Sequence, residues 1–435
     1  MFGTSGIRGP VGETVTASLA LAVGRAVGLD ADRIVVGRDS RESGKLLKDA
    51  FTAGVREVGA DVVDLSLAAT PTVGRAVDWY DCDAGCSITA SHNPAPDNGL
   101  KLWQPGGQAF DETRRSTIET RLEDDLSTEL ASAKNVGSLV QRSATDRHRE
   151  ALINAVELPA DETPHVIVDL GNGAGGVTVD ALIELGCHVE TINGQPDGRF
   201  PGRESEPTAE SLASLSELVG TTDADLGIAH DGDADRMLAV DGSGKFIPKD
   251  ALLAILAAEA TEPDDAIAVP VDTSMAVADF LAENDVDVEY TPVGDVYVAA
   301  AVGEGVPFGG EPSGAWIWPE QTRCPDGPLA ALRLVELATK QPLKARLSAF
   351  EPYAIRRSNV ETDDKEATMD AVREGVRAAF DDKNVTTLDG VRVDLGDGWF
   401  LIRASGTQPL VRVTAEASTP SRAEEVFDRA MSVLD

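Results

Sequence analysis

The sequence predicts an α/β protein of three related domains followed by a smaller α+β domain. A strand–turn–helix–strand unit recurs three times, beginning at Ile34, Val166 and Ile267. Its strands are near-continuous apolar runs rather than alternating ones, the pattern of parallel strands covered on both faces. From about Pro352 the unit is replaced by strands that meander between helices. At 435 residues the chain also exceeds one ordinary hydrophobic core, so two to four domains are expected.

In the first copy, Ile34-Val35-Val36-Gly37-Arg38-Asp39 is β-branched and apolar, a helix is expected over Lys45–Val58, and Gly59-Ala60-Asp61-Val62-Val63 starts the second strand. The second copy runs from Val166-Ile167-Val168-Asp169 through the small-residue turn Gly171–Gly175, a helix to Leu185, and a strand at Gly186-Cys187-His188-Val189. The third runs from Ile267-Ala268-Val269-Pro270-Val271 through Asp272-Thr273-Ser274, a helix to Glu283, and a strand at Asn284–Val288. Copies so far apart indicate duplicated domains rather than a solenoid. In the tail a helix over Lys365–Phe380 precedes strands Gly390–Asp394 and Trp399–Arg403, then Leu410–Ala415 and a last helix, Arg422–Leu434. The expected domains are 1–145, 146–245, 246–350 and 351–435, each with its own core.

The acids outnumber the bases by 74 to 38, a net charge of −36, and they are dispersed through the chain rather than gathered in a tail. Such self-repulsion is tolerable where salt screens it, since the Debye length falls to ~3 Å at 1 M. A salt-rich cytoplasm, as in halophilic archaea, is the expected setting. No basic stripe could neutralise nucleic-acid phosphates, and no apolar run reaches the ~18 residues of a membrane span, so neither partner is expected. The start, Met1-Phe2-Gly3-Thr4, lacks a secretory pattern, and Cys82, Cys86, Cys187 and Cys324 form no CxxC or zinc pattern. Free buried thiols in a cytoplasmic protein are expected.

Four motifs carry chemistry. Asp231-Gly232-Asp233-Ala234-Asp235-Arg236 lies between strand-like runs at Asp225–Ala229 and Met237–Val240. Fully extended, its outer aspartates would stand ~13 Å apart, so the segment must curl, which Gly232 and Ala234 permit. Three hard carboxylates suit Mg²⁺. A calcium EF-hand is excluded, because its sixth position would be Arg236 and its twelfth Gly242; a solvated acidic turn remains the alternative. Ser91, in Thr89-Ala90-Ser91-His92-Asn93-Pro94 at the end of a buried strand, is a candidate nucleophile with His92 and Lys101 nearby, or else part of a capping turn. It does not sit in a hydrolase elbow, since Thr89 and Asn93 occupy the glycine positions. In Gly310-Glu311-Pro312-Ser313-Gly314, Glu311 and Ser313 suit adjacent sugar hydroxyls, although a plain turn reads the same way. In Arg403-Ala404-Ser405-Gly406-Thr407, Arg403, Ser405, Gly406 and Thr407 make an anion-binding set, with Arg412 on the next strand.

In this order and spacing the motifs resemble those of the α-D-phosphohexomutase family, which comprises phosphoglucomutase, phosphomannomutase and phosphoglucosamine mutase. The resemblance extends from Phe2-Gly3-Thr4-Ser5-Gly6-Ile7-Arg8-Gly9 to the last strands. It implies three α/β/α domains with mixed sheets and a fourth, TATA-binding-protein-like α+β domain around a central cleft. It also implies that Ser91 is a phosphoserine binding Mg²⁺ together with Asp231, Asp233 and Asp235, and that Arg8, Lys101, His92 and Arg236 serve acid–base or electrostatic roles. By the same resemblance Glu311 and Ser313 hold the sugar, Arg403, Ser405, Gly406 and Thr407 hold the phosphate not being transferred, and the loop Thr291-Pro292-Val293-Gly294-Asp295, with Thr291 and Gly294, completes the substrate site. Asp197-Gly198-Arg199-Phe200-Pro201 and Asp397-Gly398-Trp399 look most like the archaeal phosphoglucosamine/phosphomannomutase type. The sequence departs from the family pattern at Ala315, Gln408 and Val296, and Ala315 is expected to leave space where a histidine often sits.

The implied activity interconverts a hexose 6-phosphate and its 1-phosphate through a bound hexose 1,6-bisphosphate, with glucosamine phosphate as the expected substrate and mannose or glucose phosphate as the alternative. Lys101 could act as base only with its pKa lowered. A metal-dependent sugar phosphatase or a non-catalytic phosphosugar-binding relative is the competing class. The second would be expected to lack Ser91 or the aspartates. A phosphosugar partner and a monomer or homodimer complete the expectation.

Overall fold

Each β-branched run of the three repeats is a strand inside a sheet, and the motif loops follow its parallel neighbours Ala84–Ile88, Leu226–His230 and Phe308–Glu311. The computed structural model describes residues 2–3, 6–124, 126–159, 163–405 and 409–434. Sheet I has six strands in the order Ile7–Pro10, Asp97–Trp103, Ala84–Ile88, Arg33–Arg38, Asp61–Leu67, Leu139–Gln141. The first two pairings are antiparallel and the other three parallel. Along Arg33–Arg38 alternate side chains serve opposite faces. Ile34 and Val36 pack with Leu47 and Phe51 of the helix Gly44–Glu57, whereas Val35 packs with Val73 and Val77 of the helix Thr70–Trp79. That double burial is why the strand reads as continuously apolar.

Sheet II runs Met237–Asp241, Leu226–His230, His165–Asp169, His188–Ile192, with only the first pairing antiparallel. Sheet III runs Asp287–Thr291, Ala266–Pro270, Phe308–Glu311, Ala315–Ile317, with only the last pairing antiparallel. The strand expected at Asn284–Val288 begins instead at Asp287, because Asp285 takes a left-handed φ of 57° and makes a turn of the preceding residues. Sheets II and III share one apolar cluster, while each keeps a smaller one of its own, around Ile167 and Leu215 in sheet II and around Ala268 and Val298 in sheet III. Val166, Leu226, Met237, Leu252, Ile267, Phe308 and Leu332 belong to one apolar cluster, joined through the helices Lys249–Ala260 and Gly327–Lys340.

The C-terminal sheet IV is antiparallel throughout, in the order Ala354–Glu361, Leu410–Ala417, Gly398–Ala404, Val391–Asp394, Val385–Thr386. Two of its strands, Ala354–Glu361 and Val385–Thr386, are absent from the sequence reading. Ala354–Glu361 is an edge strand carrying Arg356, Arg357 and Glu361, so charge hides its alternation. The helices Lys365–Ala379 and Pro420–Leu434 cover the sheet through Val372, Val376, Val426 and Ala430. Arg392 ties sheet IV to sheet III, its guanidinium 4.6 Å from the Tyr290 ring centre and 4.1 Å from that of Trp399. Among the described residues no helix is long and apolar enough to cross a membrane, and all four cysteines are free and buried.

Candidate active site

The carboxyl ends of the central strands of sheets I, II and III meet, which is where open α/β sheets place ligands. Ser91 follows Ala84–Ile88 and is buried, with its backbone in the left-handed region at φ 51°. A non-glycine residue holds that conformation only when its surroundings over-determine it. Here they do. The Ser91 amide donates to the Thr89 hydroxyl (2.8 Å), which donates to Asp39 (2.7 Å). The Ser91 carbonyl accepts from Arg41 (2.8 Å) and Ser205 (2.7 Å). Its hydroxyl is thereby aimed at Asp231 Oδ2, 2.6 Å away, with Asp235 Oδ1 at 3.3 Å.

The aspartate segment does curl. Ala234 is left-handed at φ 57°, and Asp231, Asp233 and Asp235 bring ligand oxygens within 4.8 Å of one another, all three side chains buried. A Cβ on Gly232 would stand 2.8 Å from the Ser205 hydroxyl and 3.0 Å from the Ser91 carbonyl, so glycine is required for the two loops to touch. Burial, Asp235 and Asp233 push the Asp231 carboxyl well above its usual range. Burial pushes Asp233 the same way, but Lys101 and the Thr70 hydroxyl outweigh it and hold that carboxyl down. Asp233 Oδ1 is buried and accepts no hydrogen bond. Three crowded hard oxygen donors, one of them orphaned, fit a hard divalent cation.

Lys101 is buried between these carboxylates, 3.1 Å from Asp233 Oδ2 and hydrogen-bonded to Asp235. Burial alone would lower its pKa, yet Asp233 and Asp235 prevail and raise it. The lowered pKa that a base would need is therefore not what the surroundings impose. His92 is driven the opposite way, down to about 2, by burial and by the charges of Arg236, Arg8 and Lys101. Its imidazole is neutral, with Nδ1 buried and unpartnered. Arg8, on the strand Ile7–Pro10, also acts on Asp233. The Arg236 amide donates to Asp231 Oδ1 at 3.2 Å.

Arg236 leads to the sugar motif. It bridges Ala315, and the Met237 amide donates to the Gly314 carbonyl (2.9 Å). Ala315 is nearly buried in that pairing, so it leaves no open space for a ligand. Glu311 accepts from the Gly294 amide (2.9 Å) and the Ser313 hydroxyl (3.0 Å). Burial and the neighbouring Asp295 push its carboxyl up to about 7. The Thr291 hydroxyl is turned back onto main-chain carbonyls of Val269 and Pro292. Glu311 and Ser313 line a pocket shared with Asp250, Asp272 and, from sheet IV, Arg357 and Trp399. Arg403 lies at 3.3 Å from Asp389, and its charge reaches Asp272. Ser405 is buried, its amide on the Leu410 carbonyl, while Arg412, paired across the sheet with Arg403, is exposed. Gly406 and Thr407 lie outside the described residues.

Four phosphoglucomutase/phosphomannomutase domain profiles match the chain in succession: α/β/α domain I over residues 1–129, domain II over 146–244, domain III over 248–353 and the C-terminal domain over 358–433. The chain belongs to this family. It is a phosphohexomutase. Relatives include the probable phosphoglucosamine mutases of Methanopyrus kandleri, 44% identical over the whole chain and 97% of that protein, and of Methanosarcina barkeri, 41% identical over the whole chain and 98% of that protein. Among solved structures, a phosphoglucomutase/phosphomannomutase family protein from Burkholderia thailandensis superposes with a TM-score of 0.86 at 27% identity, covering this chain fully and 98% of the other. The N-acetylphosphoglucosamine mutase of Aspergillus fumigatus, solved with GlcNAc-6P and magnesium, shares the fold at a TM-score of 0.59 and 16% identity, covering this chain fully and 95% of the other.

The phosphohexomutase site contains supporting residues that no motif announced. Arg41 is the chief one. Its Nε donates to Asp39 Oδ2 (3.0 Å), Nη1 to the carbonyls of Pro94 (2.7 Å) and Asp97 (2.9 Å), and Nη2 to those of Ser91 (2.8 Å) and Asn93 (2.6 Å). All five donors of the guanidinium are used. Phe200 covers its face at 4.9 Å, and Gly198 lies against its backbone, where a Cβ would stand 2.4 Å from the Arg41 Cα. Thr70 holds Asp233 twice, by its hydroxyl on Oδ2 (2.7 Å) and its amide on the carbonyl (2.8 Å). The one available signal was position, since Asp39 and Arg41 directly follow a buried strand, Arg33–Arg38, at the same sheet end as Ser91. Lysine has three donors, so Arg41→Lys should strand two carbonyls at about 1.5 kcal/mol each. Amide exchange over residues 89–97 should then quicken about 100-fold; an unchanged exchange pattern would show that other contacts hold the loop.

Proposed function

We propose that this phosphohexomutase interconverts glucosamine 6-phosphate and glucosamine 1-phosphate, with Ser91 as the phosphoryl carrier. The observation that carries the assignment is the Ser91 hydroxyl poised over the Asp231 and Asp235 carboxylates, at 2.6 and 3.3 Å. Asp231, Asp233, Asp235 and phosphorylated Ser91 would hold Mg²⁺, which offsets their combined negative charge and that of the oxygen developing on Ser91.

In the forward step the phosphorus–oxygen bond to Ser91 breaks as one to the free sugar hydroxyl forms, leaving Ser91 as the leaving group and a bound 1,6-bisphosphate. After the sugar turns over, Ser91 takes the other phosphate. Arg8, Lys101 and Arg236 remain cations and stabilise charge on the transferring group. His92, held neutral by burial and by the surrounding cations, has an open Nδ1 that can accept a hydrogen bond from the sugar hydroxyl. Glu311 and Ser313 grip sugar hydroxyls, with Thr291 and Gly294 shaping the loop beneath. Arg403, Ser405, Gly406 and Thr407 hold the distal phosphate, with Arg412 adding positive charge at its rim.

Two observations support glucosamine. The relatives above bear phosphoglucosamine mutase names over their full length. Asp250 and Asp272 add carboxylates to the pocket of Glu311, a setting suited to a sugar ammonium. Assays with glucosamine, mannose and glucose 1-phosphates test this. Glucosamine phosphate should have the highest kcat/KM, with measurable turnover of the others, since a shared hydroxyl grip discriminates modestly. Mannose or glucose phosphate ahead of glucosamine phosphate would overturn the choice of sugar.

Glu311 sets a pH dependence. Its carboxyl sits near pH 7, so it accepts sugar hydroxyls fully only above that pH. kcat/KM should climb between about pH 6 and 8 and Glu311→Gln should flatten that limb. Because the folded-state value is raised from the ordinary 4.5, the protonated carboxyl's contribution to stability is fully present below that pH and is lost as pH rises from there to about 7, so the sugar loop should loosen over that lower interval. A wild-type limb that survives in Glu311→Gln would assign it to another group.

A further inference from the structure

A second group of metal-ligating side chains lies at the other end of sheet II. His165 and His188 open neighbouring parallel strands and stand in direct register. Their rings stack, with centroids 4.2 Å apart and planes 30° from parallel. Glu190, two residues beyond His188, falls on the same face of the strand, and its Oε1 is 3.0 Å from His165 Nε2. His165, His188 and Glu190 each offer a donor atom, and the three atoms lie within 4.8 Å of one another. The far nitrogen of His165, Nδ1, is 3.2 Å from Asp223 Oδ1.

His165 is pinned. Its amide donates to Asp225 Oδ2 and its carbonyl accepts from the Asp225 amide, both at 2.8 Å, and the residue is nearly buried. His188 and Glu190 are exposed and free to adjust by the ångström or so that convergence needs. Donors bound at 2.0–2.2 Å in a tetrahedron stand about 3.3 Å apart, close to the separation already present between His165 and Glu190. Asp223 on the opposite ring nitrogen supplies the carboxylate–histidine–metal arrangement that fixes tautomer and orientation. Cys187, beside His188, packs into the apolar core and its thiol is pushed up to about 11, so it stands outside the set.

We propose that His165, His188 and Glu190 form a metal site for a zinc-class divalent cation, with Asp223 orienting His165. Two imidazoles and a carboxylate favour that class over Mg²⁺, which the all-oxygen aspartate loop suits. The site is remote from that loop. His165 begins the strand whose far end, Asp169, lies beside Ala229 just before Asp231, a separation of ~13 Å at ~3.3 Å per residue. Its effect is therefore structural, cross-linking the exposed edge strand His188–Ile192 to the sheet interior.

The test uses the full chain, stripped with chelator, returned to about 10 mM Mg²⁺ and titrated with ZnCl₂ against a chromophoric zinc chelator. One equivalent should bind with a Kd of about 10 μM or tighter and raise Tm by about 2 °C or more. His188→Ala should weaken zinc binding about 100-fold and abolish the Tm rise while retaining mutase turnover in Mg²⁺, and Asp223→Asn should weaken it about 10-fold. Wild-type zinc affinity in both His188→Ala and Glu190→Gln would overturn the proposal. So would zinc uptake that vanishes in excess Mg²⁺, which would place the ion on the aspartate loop alone.

Discussion

Ser91→Ala is expected to retain less than about one-thousandth of wild-type kcat, because it deletes the atom that would carry the phosphoryl group through both half-reactions. The backbone around position 91 is held by Thr89, Arg41 and Ser205 through main-chain atoms, so alanine leaves the loop's supports in place. The loss should therefore appear in kcat with little change in Tm. Intact-mass measurement should find one phosphoryl group on a fraction of the wild-type protein, mapping to Ser91, and none on the alanine variant. Near-normal turnover by Ser91→Ala would eliminate phosphoserine transfer.

Removing divalent metal should be nearly as severe. Without it, Asp231, Asp233 and Asp235 would face a phosphorylated Ser91 with Lys101 as the ion-pair partner in direct contact with Asp233 and Asp235, a charge excess that would oppose transfer. Chelation should abolish activity and Mg²⁺ restore it, while the sheet cores keep the protein folded. Asp233→Asn should raise the Mg²⁺ concentration for half-maximal activity about 100-fold or more. It neutralises the carboxylate whose Oδ1 is otherwise left without a partner, at a site that Thr70 continues to position. Full activity in excess chelator would remove the metal from the reaction.

The chemistry-bearing motifs were legible because each lies within one loop at the end of an apolar strand, and a loop's residue types can be read together. What supports them was not. Arg41 acts on carbonyls some fifty residues away and Thr70 on Asp233, across an interval no local pattern encodes. Which way the Lys101 pKa moves was not legible for the same reason, since its surroundings are carboxylates from another sheet. Local chemistry also failed at Ala354–Glu361, where an edge strand needs charge on its open side and so loses the apolar signature of a strand. The shared core of sheets II and III escaped notice because periodicity tells which face of a helix is apolar but not which sheet it covers.

Burial of Arg75 has a consequence for how the chain is made. Its Nε donates to Asp326 at 2.8 Å, and His148 Nε2 stands 3.4 Å from the same carboxylate. Asp326 also caps the helix Gly327–Lys340, whose first residue, Gly327, lies against the main chain of the aspartate loop. During synthesis Arg75 leaves the ribosome long before Asp326, by roughly 10–50 s at ~5–20 residues per second. Throughout that interval sheet I can assemble, but its helix Thr70–Trp79 carries a cation awaiting its counter-ion, and Lys101 awaits Asp233 and Asp235. The nascent first domain thus carries two cations, Arg75 and Lys101, whose carboxylate partners do not yet exist. The Ser91 and aspartate loops can meet once residue 236 exists, whereas Arg75 waits for its partner until Asp326 is made, three-quarters of the way along the chain.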